Sequence, residues 1–254
     1  MISSLVFAQE VHHPAGRSIA HHDHGEGQLL LVLKGTATIT AEEGFWLTPP
    51  GFAIWIPAGC SHGARYSKES SLINIRFDAR LCEGQSADCT LISVSDLMRH
   101  LAHEAVHLAA SGDRSDAQEL VARLMVHQMG HHWNGTGLFV PHGRDRRLRQ
   151  AIDILRKDPG LSLQLEELAQ RSATSGRTLA RLFMKETGMS FRRWRDYFCV
   201  VCAIDRLAQG QSITQTALEL GYQSASSFTT LFTRLLGHPP KRYLRMLEQA
   251  RNGD

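Results

Sequence analysis

Between Leu163 and Pro240 one pattern is written twice: a short apolar stripe, a tight turn, a small capping residue, and a longer amphipathic segment closed by glycine. In the first copy Leu163, Leu165, Leu168 and Ala169 recur at helical spacing, and Ser175 stands where its hydroxyl can cap the helix that follows. Leu179, Leu182 and Phe183 form that helix's inward face, and Gly188 ends it. In the second copy Ile213, Ala217 and Leu220 precede a Gly221-Tyr222 turn, and Ser224 caps a helix with Phe228, Leu231, Phe232 and Leu235 inside. Gly237-His238-Pro239-Pro240 stops it. The copies lie roughly 48 residues apart, and a repeat restricts the chain far more than one amphipathic helix could. It predicts two helix-turn-helix units joined by a long helix.

Such a unit lays the first half of its second helix in the DNA major groove, so the outward residues there are the ones that matter. In the first copy these are Arg177, Ala180 and Arg181. An arginine fork can donate two hydrogen bonds to guanine O6 and N7, with roughly 1–3 kcal/mol of discrimination per pair. In the second copy the outward residues are Ala225, Ser226, Thr229 and Thr230, small and uncharged, suited to weaker reading through thymine methyls and phosphates. Taken without the repeat, each copy would equally suit an ordinary helix pair with solvated arginines.

The runs "LARLFMKETGMSF" and "ITQTALELGYQSASSFTTLFTRLLGHPPKRY" resemble the DNA-binding domain of AraC/XylS-type transcription regulators. The resemblance implies that both recognition helices enter successive major grooves on one face of double-stranded DNA, with the seven outward residues at base-facing positions. One departure is the connecting segment "WRDYFCVVCAIDRLA", in which Cys199 and Cys202 stand where relatives carry longer side chains. The spacing would suit redox chemistry or zinc, but no set of four ligands accompanies it, so two small buried hydrophobes is the reading adopted.

Charge is divided unevenly. Residues 1–141 hold 9 Lys and Arg against 14 Asp and Glu, a balance of −5, whereas residues 142–254 hold 19 against 11, a balance of +8. The basic half is the one with the recognition helices, as attraction to phosphate requires. Arg192, Arg193 and Arg195, then Lys241 and Arg242, are expected on the DNA backbone. A length of 254 residues allows two domains, and no run of about 18 apolar residues offers a membrane span. Five scattered cysteines suit reduced thiols in a cytoplasm, and the opening residues lack the features of a cleaved leader. Cys82 and Cys89 flank a loop across which they could meet.

Residues 1–81 are strand-like. "QLLLVLKGTATIT", "FWLTPPGFAIWIPAGCSHGARY" and "SLINIRF" are short apolar or alternating runs between Gly and Pro turns, as in a small β-barrel or sandwich. Gly16-x5-His22-x-His24-x3-Gln28-x6-Gly35 and Gly51-x5-Pro57-x-Gly59-x2-His62 resemble the two cupin motifs, with Gln28 at the usual glutamate position. The resemblance implies that His22, His24, Gln28 and His62 point into the barrel, where they would bind a divalent metal. Three imidazoles suit Zn, Ni, Fe or Cu, with a neutral amide as a weaker fourth ligand. The competing reading is a metal-free pocket for a small anionic or polar ligand. Trp46, Phe52 and Trp55 lie where they could form its apolar wall, with core packing the expected duty of at least one of them. Cys60 is a soft donor two residues from His62.

Two helical stretches, "SDLMRHLAHEAVHLAA" and "SDAQELVARLMVHQMGHH", suggest a hairpin suited to homodimerisation; the His103/His107 and His127/His131 pairs on them read as solvated. The expected fold is α+β and multidomain. It comprises a cupin-like barrel over 1–81, a helical hairpin over 82–132, a linker over 133–143, and an AraC-type DNA-binding domain over 144–254. The expected function is sequence-specific transcription regulation in the cytoplasm, governed by a small molecule or metal and involving RNA polymerase if the regulator activates. No catalytic residue is assigned. Two alternatives stay open at this level: a cupin-type metalloenzyme, for which Glu26 is the one evident base, and a constitutive DNA-binding protein with a structural barrel.

Overall fold

The computed structural model describes residues 5–111, 116–131 and 138–252. Two compact units emerge, one from residues 1–41, 46–138 and 246–254 and the other from 42–45 and 139–245. No described helix is long and apolar enough to cross a membrane.

The first unit is built from β1 (Leu5–His13), β2 (Ser18–His22), β3 (Gly27–Lys34), β4 (Ala37–Thr40), β5 (Gly44–Thr48), β6 (Phe52–Ile56), β7 (His62–Tyr66), β8 (Ser70–Phe77) and β9 (Thr90–Ser93). One antiparallel sheet runs β1-β8-β3-β6-β9, and the second contains β5-β4-β7-β2. Strand β9 lies beyond the expected barrel boundary at Leu81 and completes the first sheet beside β6, with Trp55 opposite Thr90. Alternation along β3 and β6 settles which side chains share a face. Gln28 pairs with Ile56 and Leu30 with Ile54, while Leu29 pairs with Trp55 on the other side. That other side is covered by α1 (Asp96–Ser111), started by Ser95 Oγ accepting from Met98 N at 3.2 Å, and α2 (Asp116–His131). Leu29, Leu31, Trp55, Ile73, Ile75 and Phe77 meet Met98, Ala102, Ala105, Ala122 and Met125 in one core. Residues 132–137, most of the expected linker, lie outside the described residues.

The second unit begins with β10 (Phe139–Pro141), which pairs with the first residues of β5. It continues with α3 (Arg146–Lys157), α4 (Leu165–Arg171), α5 (Gly176–Thr187), α6 (Phe191–Ala208), α7 (Ile213–Glu219), α8 (Ala225–Leu236) and the first residues of α9 (Pro240–Asn252), up to Arg245. The two helix-turn-helix units are α4–α5 and α7–α8. Ser175 and Ser224 cap α5 and α8 by accepting from Thr178 N and Ser227 N, and Gly188 and Gly237 end them in left-handed conformation. The turns repeat bond for bond: Thr174 N donates to Ala169 O, and Tyr222 N donates to Ala217 O. The second turn has one residue more before its cap, Gln223. Each turn has one left-handed residue at the matching place, Ala173 with φ 51° and Gly221 with φ 84°. Cys199 is buried and Cys202 half-buried on α6, as hydrophobes would be, and burial raises both thiol pKa values.

A Cβ on Gly221 would sit 3.1 Å from the Gly160 carbonyl oxygen in a backbone region costing L-residues roughly 1–2 kcal/mol. Gly221→Ala is therefore expected to lower stability by about that amount in denaturant unfolding. Ala173→Gly, which relieves the same strain in the first turn, is expected not to lower it.

Candidate functional site

The first site forms where β2, the start of β3 and the start of β7 converge. His22 ends β2, Gln28 lies in β3, His62 opens β7, and His24 sits in the bend between β2 and β3. His22 pairs directly with His62 across the β2–β7 ladder. The ring centroids of His22 and His62 are 4.5 Å apart, and those of His24 and His62 are 5.1 Å apart. One ligand nitrogen from each of the three rings can be chosen so that all lie within 4.8 Å of one another.

Hydrogen bonds fix the tautomer of every ring. His22 Nδ1 faces Ala20 O at 3.1 Å, His24 Nδ1 faces Glu26 O at 2.8 Å, and His62 Nδ1 faces Cys60 O at 2.9 Å. A carbonyl can only accept, so each Nδ1 has the hydrogen and each neutral ring offers its Nε2 lone pair. His62 is 3 % exposed, and its pKa is lowered to about 4. Burial is the main cause, with His22 and His24 adding to it and the Cys60 carbonyl opposing it. The ring is neutral, and so able to ligate, at pH 7. Gln28 Nε2 donates to Asn74 Oδ1 at 2.7 Å, which turns its Oε1 toward His24 Nε2 at 2.9 Å. Two acceptors thus face each other. A cation between them resolves this, as does joint rotation of the Gln28 and Asn74 amides to supply a hydrogen. For comparison, two ligands about 2.1 Å from one metal at right angles lie about 3 Å apart.

The pocket wall differs from expectation. Trp55 is not on it: the strand's alternation sends its ring to the helix-covered face, where it meets Phe77 and its Nε1 donates to Ser86 O at 3.0 Å. A Cβ at Gly27 would run into that ring and Cys82 Sγ. Phe52 is half-buried on the face of β6 that has Ile54 and Ile56, and Trp46 is buried in β5. Two residues on this face were not singled out, Asn74 and Arg76, although Leu72-x-Asn74-x-Arg76 alternates through "SLINIRF". Arg76 pairs with Gln28 across β3–β8, and its Nε is buried with no hydrogen-bond partner.

The second site is the recognition-helix surface. Arg177 and Arg181 are exposed on α5, one turn apart, with Ala180 half-buried between them. On α8 Ser226 and Thr230 are exposed while Ala225 and Thr229 are half-buried. Thr230 Oγ1 donates to Ser226 O at 3.1 Å, which leaves its oxygen and methyl for a partner. Arg192, Arg193, Lys241 and Arg242 are exposed at the starts of α6 and α9. Arg195 differs from them. Its Nη2 donates to Pro159 O at 2.6 Å and to Leu161 O at 2.9 Å, and its guanidinium lies 5.9 Å from the Phe198 ring. Placed one turn into α6 at the edge of its buried face, it ties that helix to the α3–α4 loop.

Residues 5–127 match the family model of an AraC-like ligand binding domain, and residues 168–246 match a helix-turn-helix domain. The chain is 32 % identical over 228 residues to the HTH-type transcriptional regulator NimR of Escherichia coli strain K12, covering 89 % of this chain and 82 % of that protein. It is 37 % identical over 98 residues to the HTH-type transcriptional regulator RipA of Corynebacterium glutamicum, covering 39 % of this chain and 30 % of that one. Among solved structures it is similar to ToxT from Vibrio cholerae O395, with 14 % identity, a TM-score of 0.42, and coverage of 96 % of this chain and 98 % of that one.

Arg181→Ala is expected to weaken binding to a cognate DNA site about 5- to 150-fold with the fold intact, measured by fluorescence anisotropy against a scrambled duplex. Arg192→Ala is expected to weaken both duplexes alike and reduce the salt slope by about one. Arg195→Ala should instead lower the melting temperature.

Proposed function

Because the chain belongs to the AraC family of DNA-binding transcription regulators, we propose that its effector is a divalent transition metal, alone or with a small metabolite, held by His22, His24, Gln28 and His62. The protein regulates transcription and is not an enzyme. The reading rests on one observation: the His22, His24 and His62 rings converge so that one ligand nitrogen from each lies within 4.8 Å of the others, and Gln28 Oε1 stands 2.9 Å from His24 Nε2. Nitrogen donors favour Zn, Ni, Fe or Cu over Mg or Ca. A bound ion would supply a fixed positive charge and open coordination positions for an anionic or polar metabolite. A second reading, an organic anion without metal, is favoured by Arg76, whose buried Nε lacks a partner.

Arg177 and Arg181 would read bases strongly and the α8 residues weakly, with Arg192, Arg193, Lys241 and Arg242 on phosphates. The effector acts only insofar as it binds DNA-competent and DNA-incompetent arrangements with different free energy. Leu120, 67 % exposed, and Leu124 lie one turn apart on α2 and would form part of a homodimer surface. The regulator would act in the cytoplasm, through RNA polymerase where it activates.

Elemental analysis of the untagged protein beside His22→Ala/His62→Ala tests the proposal. The expected result is one metal per chain, lost in the variant. An empty wild-type protein after reconstitution with each of the four metals would sink the metal reading and leave the anion reading, under which Arg76→Gln abolishes effector binding.

A further inference from the structure

The turn that delivers the histidines has a second chemical feature. Cys60 Sγ lies 3.5 Å from Cys89 Sγ, which is buried just before β9. The 29 residues of separation place them on different elements, the β6–β7 turn and the entry to β9. The same turn is tied to one of the three rings and to the main chain of a second histidine: Cys60 O accepts from His62 Nδ1 at 2.9 Å, and Gly59 N donates to the His24 carbonyl at 2.8 Å. The geometry points to Cys60 and Cys89 as a reversible oxidation site, whose disulfide would clamp the β6–β7 turn, bonded to the His62 ring and the His24 main chain, to the start of β9.

The chemistry needs a two-electron oxidant of the peroxide class. Cys60 is the more exposed of the two, so it is the sulfur such an oxidant meets first. Its sulfur attacks one peroxide oxygen, the O–O bond breaks, and water leaves behind a sulfenic acid. Cys89 sulfur then attacks Cys60 sulfur, the S–O bond breaks, and the leaving oxygen takes the thiol proton as a second water. Two thiols have lost two electrons, and peroxide has become two waters. The sulfurs must close from 3.5 Å to about 2.0 Å, a movement of side chains and of a turn rather than of the strands. The remaining thiols are poorly suited to the reaction. Burial pushes Cys82 up to about 11 and raises Cys199 and Cys202 as well, which keeps them as unreactive thiols.

Clamping the turn bears on regulation through the reading of His24 and His62 as effector ligands, whereas the disulfide itself is independent of that reading. The test therefore uses the metal-free full-length chain with hydrogen peroxide as the probe. Peptide mapping without reductant is expected to show a Cys60–Cys89 cross-link that dithiothreitol removes and that both Cys60→Ser and Cys89→Ser abolish. Hydrogen exchange of the peptide spanning 57–64 should slow roughly tenfold on oxidation, with no slowing in either variant. Over-oxidation of Cys60 without a cross-link, a cross-link to another cysteine, or a cross-link with unchanged exchange would overturn the proposal. None of these outcomes depends on whether the chain takes up metal, so failure of the metal reading would be recognised separately.

Discussion

The DNA-binding half depends on the burial of α6. Trp194, Phe198, Cys199, Val200, Val201, Ala203, Ile204 and Leu207 of this helix are all inaccessible to water. Trp194 is the pivot. It stacks on Phe198 at 5.1 Å, meets Phe183 of α5 at 5.5 Å, and donates from Nε1 to Pro141 O at 2.7 Å. A helix so enclosed cannot bend or turn without opening a cavity beneath an indole. The distance and phase between α5 and α8 are therefore set by the buried helix between them, and two readers held at fixed spacing act as one stronger reader. Arg195 belongs to this logic, since it is a brace between α6 and the loop before α4.

The sensing half follows from the opposite principle. Its candidate donors come from β2, the β2–β3 bend, β3 and β7, so no single element contains them and only the paired sheet assembles them. Backbone carbonyls at Ala20, Glu26 and Cys60 then orient the rings by accepting from each Nδ1. Ala20 O belongs to strand β2, whereas Glu26 O and Cys60 O belong to a bend and a turn, so a shift of those two segments changes how the His24 and His62 rings are oriented. A site of this construction is stiff in the sheet and adjustable at its loops, as a sensor must be.

Legibility in the sequence tracked the range of the interactions. Caps at Ser175 and Ser224 and the stops at Gly188 and Gly237 are decided within a few residues, and they were readable to the residue. The histidine set was readable because motif spacing encodes a long-range pairing, here His22 opposite His62. Trp55 was misplaced because an apolar run such as "FAIWI" is hydrophobic on both faces, so composition does not reveal which face looks inward. The hydrogen bonds of Arg195 to backbone carbonyls were not legible, because one turn of helix separates it from the exposed Arg192. The barrel's ninth strand and the nearness of Cys89 to Cys60 rest on a pairing of β6 with a segment some 40 residues on, beyond any local signal.

How the sensing half can bias the basic half follows from the same facts. Ligand donors that are far apart in sequence bind an effector only while the sheet and its turns hold them together, so the binding free energy is also stabilisation of that assembled state. Stabilisation alone regulates nothing, because an effector that favours both arrangements equally shifts neither. On the proposed reading, the discriminating elements would be those whose position changes with site geometry at low cost, and the β2–β3 bend with His24 and the β6–β7 turn with Cys60 are the segments outside the strands that meet the rings. These two segments are joined by a single main-chain bond, Gly59 N to His24 O, so they respond together. On the proposed reading, regulation would draw on the free energy of moving these two hydrogen-bonded segments.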